Sequence, residues 1–128
     1  MGGTRSWRST ARRALASLLG ALAVAGAARA EDGAVVFKRV CAACHTVEPG
    51  KNRIGPSLAG IVGRKAGQVE GFGYSEANKK SNVTWDAATL DPYLTDPKAF
   101  MPGTKMLFAG VKDAEQRKAL IAYLEQAK

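Results

Sequence analysis

The run Cys41-Ala42-Ala43-Cys44-His45 decides how this chain folds. Two thiols and an imidazole stand within five consecutive residues, the spacing of a c-type haem attachment site. On a helical turn, positions three apart share a face, so Cys41 and Cys44 can each reach one vinyl edge of a flat porphyrin and become thioethers. His45, next in the chain, then meets the iron from the tethered side as its proximal ligand. Other readings of the run fail on donors or context. A closed zinc site wants four protein ligands, whereas the whole chain holds two Cys and one His. A thioredoxin-type dithiol belongs in a strand-helix-strand setting that this sequence does not offer. A disulfide across two intervening residues would close too small a loop to add much stability.

Working outward, Asp32 can cap a helix whose apolar positions Val36, Phe37, Val40 and Cys44 recur at helical spacing and lead into the attachment run. At the far end, Asp113-Ala114-Glu115-Gln116 has the form of a capping box and opens a helix to about Ala127. Its apolar stripe, Leu120, Ile121 and Leu124 with Tyr123 beside it, reads as core. A middle helix is expected from Ala87 to about Leu94, with Thr84 or Asp86 near its start and Asp96-Pro97 ending it. Pro92 conflicts with that helix, so a short first segment or a local kink is expected there. Between Thr46 and Ser75, Pro49, Gly50, Gly55, Pro56, Gly60, Gly63, Gly67, Gly71 and Gly73 break every sustained period. So long a loop is improbable in a small domain unless it wraps something, and a haem would supply the missing apolar area. No strands of convincing alternation occur, so the expected class is all-α, with helices and long loops around one haem.

His45 is the only histidine, so ligation by two histidines of one chain is excluded. The far side of the iron is left to a methionine, a lysine or nothing. Met101 precedes Pro102 and is held extended, while Met106 follows the Pro102-Gly103 turn on a loop between helices. Those placements favour Met106 as ligand and suit Met101 as core. A thioether opposite imidazole favours ferrous iron and closes the site to small ligands.

Residues 1–30 have the form of an export signal: Arg5, Arg8, Arg12 and Arg13 in front, an apolar stretch from Ala14 to Ala28, and Ala28-Arg29-Ala30 as cleavage site. The stretch is shorter than the roughly 17 to 25 apolar residues of a spanning helix, so cleavage rather than a retained anchor is expected. Residues 31–128 then form one domain in the periplasm. The signal holds Arg5, Arg8, Arg12, Arg13 and Arg29 and no acid, so its removal takes the formal charge from +8 to +3. A nucleic-acid partner built on the whole-chain charge is thereby excluded, and what remains suits a guided protein encounter.

Further segments add specificity: Cys-Ala-Ala-Cys-His-Thr-Val-Glu at 41–48, Gly55-Pro56-Ser57-Leu58, Gly63-Arg64-Lys65, Gly71-Phe72-Gly73-Tyr74, Ala77-Asn78-Lys79, Trp85, Pro102-Gly103-Thr104-Lys105-Met106 and Leu120-Ile121-Ala122-Tyr123-Leu124. On these residues the chain resembles mitochondrial cytochrome c and its soluble bacterial relatives, over nearly all of residues 32–127. The resemblance implies Met106 as sixth ligand and the Pro56 carbonyl as acceptor of a hydrogen bond from the His45 ring. It places Tyr74, Trp85 and Arg64 around a buried propionate, Asn78 and Tyr93 beside the Met106 sulfur, and Phe108 over the haem face near its open edge. Gly33 and Phe37 match the crossing of the first helix on the last, against Leu120 and Tyr123.

The implied function is that of a monomeric single-haem electron carrier with no catalytic residues. Its partners would be a cytochrome bc complex as donor and a terminal oxidase or photosynthetic reaction centre as acceptor. Docking would use a basic patch that includes Lys98 and Lys105, with Arg53 and Lys112 as additions. Val40 and Asp113 stand where the family often places lysine. The alternatives are a haem peroxidase or ligand sensor with a labile Met106, and a haem-free thiol oxidoreductase using Cys41 and Cys44.

Overall fold

Asp32 starts the first helix: its side chain accepts from the Ala34 amide at 2.9 Å, and α1 follows as Gly33–Val40. The computed structural model describes residues 1–3 and 31–128, so the expected export signal lies almost wholly outside the described residues. α1 buries Gly33, Val36 and Phe37. At the far end Asp113 accepts from the Gln116 amide at 2.8 Å and opens α5, Ala114–Gln126, which buries Leu120, Ile121 and Leu124. The expected capping box closes on one side only. The Gln116 side chain accepts from Arg39 of α1 at 3.1 Å instead, and so joins the two helices.

α1 packs on α5, and α5 also packs on α3. Gly33 makes the crossing close: a Cβ there would lie 2.7 Å from the Ala119 carbonyl carbon and 2.8 Å from Tyr123 Cβ. Phe37 meets Tyr123 with ring centroids 5.4 Å apart. Leu120 and Val36 are wholly buried at this contact.

The middle helix α3 is Ala87–Thr95. Here the capping box is complete, with Asp86 Oδ1 accepting from the Thr89 amide at 2.8 Å and Thr89 Oγ1 accepting from the Asp86 amide at 2.9 Å. Pro92 does not shorten it. The helix continues through Pro92 because the one carbonyl deprived of a donor, that of Ala88, is on an exposed residue where water can serve it.

Two short helices were not expected. α2, Glu76–Lys80, is capped by Ser75 and buries no residue, so it has no apolar stripe to betray it. α4, Pro97–Phe100, begins at the Asp96-Pro97 pair read as a stop. Asp96 ends α3 through its amide and starts α4 through its carboxylate, with Pro97 at the first helical position, where a missing amide costs nothing.

Residues 46–75 hold no helix, in line with the glycine-rich reading, and the class is all-α: no strand occurs among the described residues. One isolated bridge pairs Lys65 with Thr84. It holds the loop to the segment before α3 through Ala66 N to Val83 O at 2.8 Å and Trp85 N to Arg64 O at 2.9 Å.

Candidate functional site

The regular helix stops at Val40, and residues 41–44 form a tight turn closed by Cys44 N to Cys41 O at 3.0 Å and His45 N to Cys41 O at 2.9 Å. Cys41 is buried, Cys44 is partly so, and neither is in a disulfide. Burial, and to a lesser extent the neighbouring Cys44, push the Cys41 thiol up to about 11. A reactive dithiol needs its attacking thiol lowered, so thiol redox chemistry is disfavoured.

The His45 ring is fixed from one side. Its Nδ1 lies 2.7 Å from the Pro56 carbonyl oxygen, which can only accept, so Nδ1 carries the proton and Nε2 keeps a lone pair. Burial lowers the imidazole from its ordinary range and so favours a neutral ring, while the Pro56 bond acts in the opposite direction. Gly55 provides the space: a Cβ there would fall onto the imidazole, 2.6 Å from Nδ1 and 2.7 Å from Nε2.

Residues that sequence reasoning passed over hold this segment. Asn52 Oδ1 accepts from the Ser57 amide at 2.9 Å, and the buried Ser57 hydroxyl donates to the Glu48 carbonyl at 2.6 Å. The Gly55 amide donates to the Cys44 carbonyl at 2.8 Å, and the Leu58 amide to Thr46 at 2.8 Å. Their only sequence signal was the motif Gly55-Pro56-Ser57-Leu58.

Of the two thioethers, Met101 is buried, 5 % exposed, and belongs to the core. Met106 is half-buried, and the Tyr93 hydroxyl donates to its sulfur at 3.7 Å. Burial pushes the Tyr93 hydroxyl up to about 12, partly offset by Thr104, so it keeps the proton it donates. Asn78 is not brought to that sulfur by any hydrogen bond: its Oδ1 accepts from Ser75 Oγ at 2.8 Å, inside the cap of α2. Tyr74 is close enough to act on the Arg64 charge, and each has a backbone partner. Arg64 donates to the carbonyls of Ala59 at 3.0 Å and Ser57 at 3.1 Å, while Tyr74 Oη accepts from the Val69 amide at 3.1 Å. Burial lowers Arg64, and Tyr74 raises it. Trp85 lies in the core, 4.6 Å from Tyr93 between ring centroids, and makes no side-chain hydrogen bond to either among the described residues. Phe108 lines a cleft of about 430 Å³ with Leu107, Ala109, Asp96 and Lys98.

The expected docking cations differ in freedom. Arg53 donates to the Ala42 carbonyl at 2.9 Å, Lys112 to Thr95 at 2.7 Å, and Lys105 to the carbonyl of Gly73. Among the described residues, Lys98 makes neither a hydrogen bond nor an ion pair.

A covalently bound haem fits this site on three counts: two unpaired thiols three apart, an imidazole presenting a free Nε2, and a glycine where any side chain would displace the ring. A closed zinc site does not fit, since no three His, Cys, Asp or Glu side chains converge among the described residues.

A family model described as cytochrome c matches residues 30–128. The chain is 55 % identical over 89 residues to cytochrome c2 iso-2 of Magnetospirillum molischianum, covering 70 % of this chain and 92 % of that one. It is 50 % identical over 110 residues to cytochrome c2 of Blastochloris viridis, covering 85 % and 86 %. It is 53 % identical over 98 residues to cytochrome c of Gibberella zeae, covering 76 % and 92 %.

Proposed function

The chain belongs to the cytochrome c family, and from that premise we propose that it shuttles single electrons between membrane redox complexes with an iron held by His45 and Met106. Haem c, bound through Cys41 and Cys44, supplies a one-electron iron couple. The rest belongs to the protein. His45 coordinates through Nε2 while Nδ1–H donates to Pro56, a bond that fixes the ring plane and raises its basicity. Met106 would hold the iron through its sulfur, and the Tyr93 hydroxyl, which donates to that sulfur at 3.7 Å, would draw electron density from it. His45 and Met106 would hold the iron from protein segments that are already fixed, so little reorganisation would be needed for a one-electron change. Arg64 and Tyr74 lend positive charge and a donor to a propionate on the buried side.

The observation that carries this reading is the His45–Pro56 bond at 2.7 Å, because it leaves one neutral, aimed nitrogen on the residue that follows the paired thiols. The donor is a cytochrome bc complex, and the acceptor a terminal oxidase or photosynthetic reaction centre. Lys98 heads the docking patch. The protein works as a monomer in the periplasm, with residues 1–30 removed on export and residues 31–128 as the working domain.

The test is spectroscopic. Purified holoprotein should give a c-type pyridine haemochrome, show a sulfur-to-ferric-iron band in the red, and bind carbon monoxide slowly when ferrous at neutral pH. Met106→Ala should abolish the red band and speed carbon monoxide binding by orders of magnitude. Rapid binding by the unaltered protein would instead favour a peroxidase or ligand sensor.

A further inference from the structure

The outer face of α5 carries a stripe of charge that the rest of the molecule does not use. Glu115, Lys118, Ala122 and Glu125 recur at the spacing of one helical face, and each is exposed. Lys128, just past the C-cap Ala127, is exposed as well. Among the described residues, Glu115, Lys118, Glu125 and Lys128 take part in no ion pair and no side-chain hydrogen bond, whereas Arg117, next to Lys118 in the chain, is bound to Asp91 of α3 at 2.8 Å. The stripe borders a cleft of about 500 Å³ between α5 and α3, with Ala87, Ala114 and Ile121 also in its lining.

We propose that this stripe is a self-complementary contact on which a second copy of the chain docks antiparallel, α5 against α5. The charges fix the register. In a two-fold pair, each residue that faces another is faced by it in return, so every matched pair occurs twice. Setting Lys118 against Glu125 of the second copy centres the axis between Ile121 and Ala122, and the same register sets Glu115 against Lys128. Four opposite-charge pairs then flank a centre whose outward residue, Ala122, is small enough for two helices to approach closely. Neighbouring registers are penalised. A slip of three residues one way opposes Glu115 with Glu125, and the other way Lys118 with Lys128. A parallel two-fold pair would set each charge against its own copy. Exposed pairs are individually weak, so the dimer forms at about millimolar concentration, and the carrier that meets a redox complex is the monomer. The contact uses none of the residues assigned to the iron or to docking, and it does not depend on how the iron is held.

The experiment follows translational diffusion of the reduced holoprotein by NMR as its concentration rises at low salt. The parent should slow toward a dimer with a dissociation constant of about 1 mM, and salt at about 0.5 M should reverse this. Lys118→Glu and Glu125→Lys should each weaken association about tenfold, because each turns attractive pairs into repulsive ones. These two variants change the net charge in opposite directions, so general repulsion between molecules cannot account for both losses. The double variant Lys118→Glu/Glu125→Lys exchanges the signs and keeps the pairs, and should return to within about threefold of the parent. An unchanged haem spectrum in every variant keeps the comparison to folded holoprotein. A parent that still diffuses as a monomer at about 3 mM in low salt overturns the dimer. Single variants that associate like the parent, or a double variant as weak as the singles, overturn this contact.

Discussion

At the scale of single residues, the site divides into side chains that bond and backbone atoms that aim them. The Tyr93 hydroxyl donates to the Met106 sulfur, and with Met106 as the proposed iron ligand that bond would favour ferrous iron. Tyr93→Phe should therefore lower the reduction potential by roughly 20–40 mV, the equivalent of about 0.5–1 kcal/mol for a one-electron couple, measured by redox titration. Gly55→Ala tests the aim. Its Cβ would drive the His45 ring off the Pro56 carbonyl, and the cost should be about 1–3 kcal/mol in a denaturant titration of the holoprotein. The attachment run Cys41-Ala42-Ala43-Cys44-His45 was legible in the sequence because two thiols and the chain's one histidine stand at a specific spacing, whereas the choice of Met106 over Met101 needed more than the residue type. Asn52 and Ser57 were not legible, because a loop amide or hydroxyl acquires a role only from partners brought to it by folding. Asn78 shows the same dependence on folding, since its Oδ1 accepts from Ser75 Oγ at the start of α2.

Among the elements, the crossing of α1 and α5 carries the chain's stability. Leu120 is wholly buried there, so Leu120→Ala should cost about 2–5 kcal/mol, read as a shift of the denaturation midpoint at constant slope. Gly33→Ala should cost about 1–3 kcal/mol, because the added carbon meets backbone that cannot move aside. α1, α3 and α5 could be read from caps and apolar spacing, α3 and α5 with ends correct to about a residue, whereas α1 stops at Val40, short of the expected Cys44. α2 and α4 could not. Five residues with no buried face leave no periodicity, and an Asp-Pro pair that stops one helix while starting another reads as the stop alone. Pro92 was given too much weight, since the carbonyl it orphans faces water.

For the whole molecule, charge decides the encounter with a partner. Electron transfer to the partner should slow as salt is added, and replacing Lys98 and Lys105 together by Gln should slow it further. Stopped-flow rates against ionic strength would check this, and a rate indifferent to both would remove the basic patch. Lys98 is the freest of these cations to reach a partner, since Arg53, Lys112 and Lys105 each donate to a backbone carbonyl while keeping their charge. The general distribution of charge could be read from composition; which cations remain available could not, because that depends on the carbonyls that loop packing places nearby.

The partnership of α1 with α5 also sets an order of events. The first element of the domain cannot bury its face until the last has been made, and about 80 residues separate Cys44 from the end of α5. At a synthesis speed of about 5–20 residues per second, the thiols at 41 and 44 stay uncovered for roughly 4–16 s in a nascent chain. Both sulfurs and the adjoining imidazole are therefore open to reagents only until the C-terminal helix is in place.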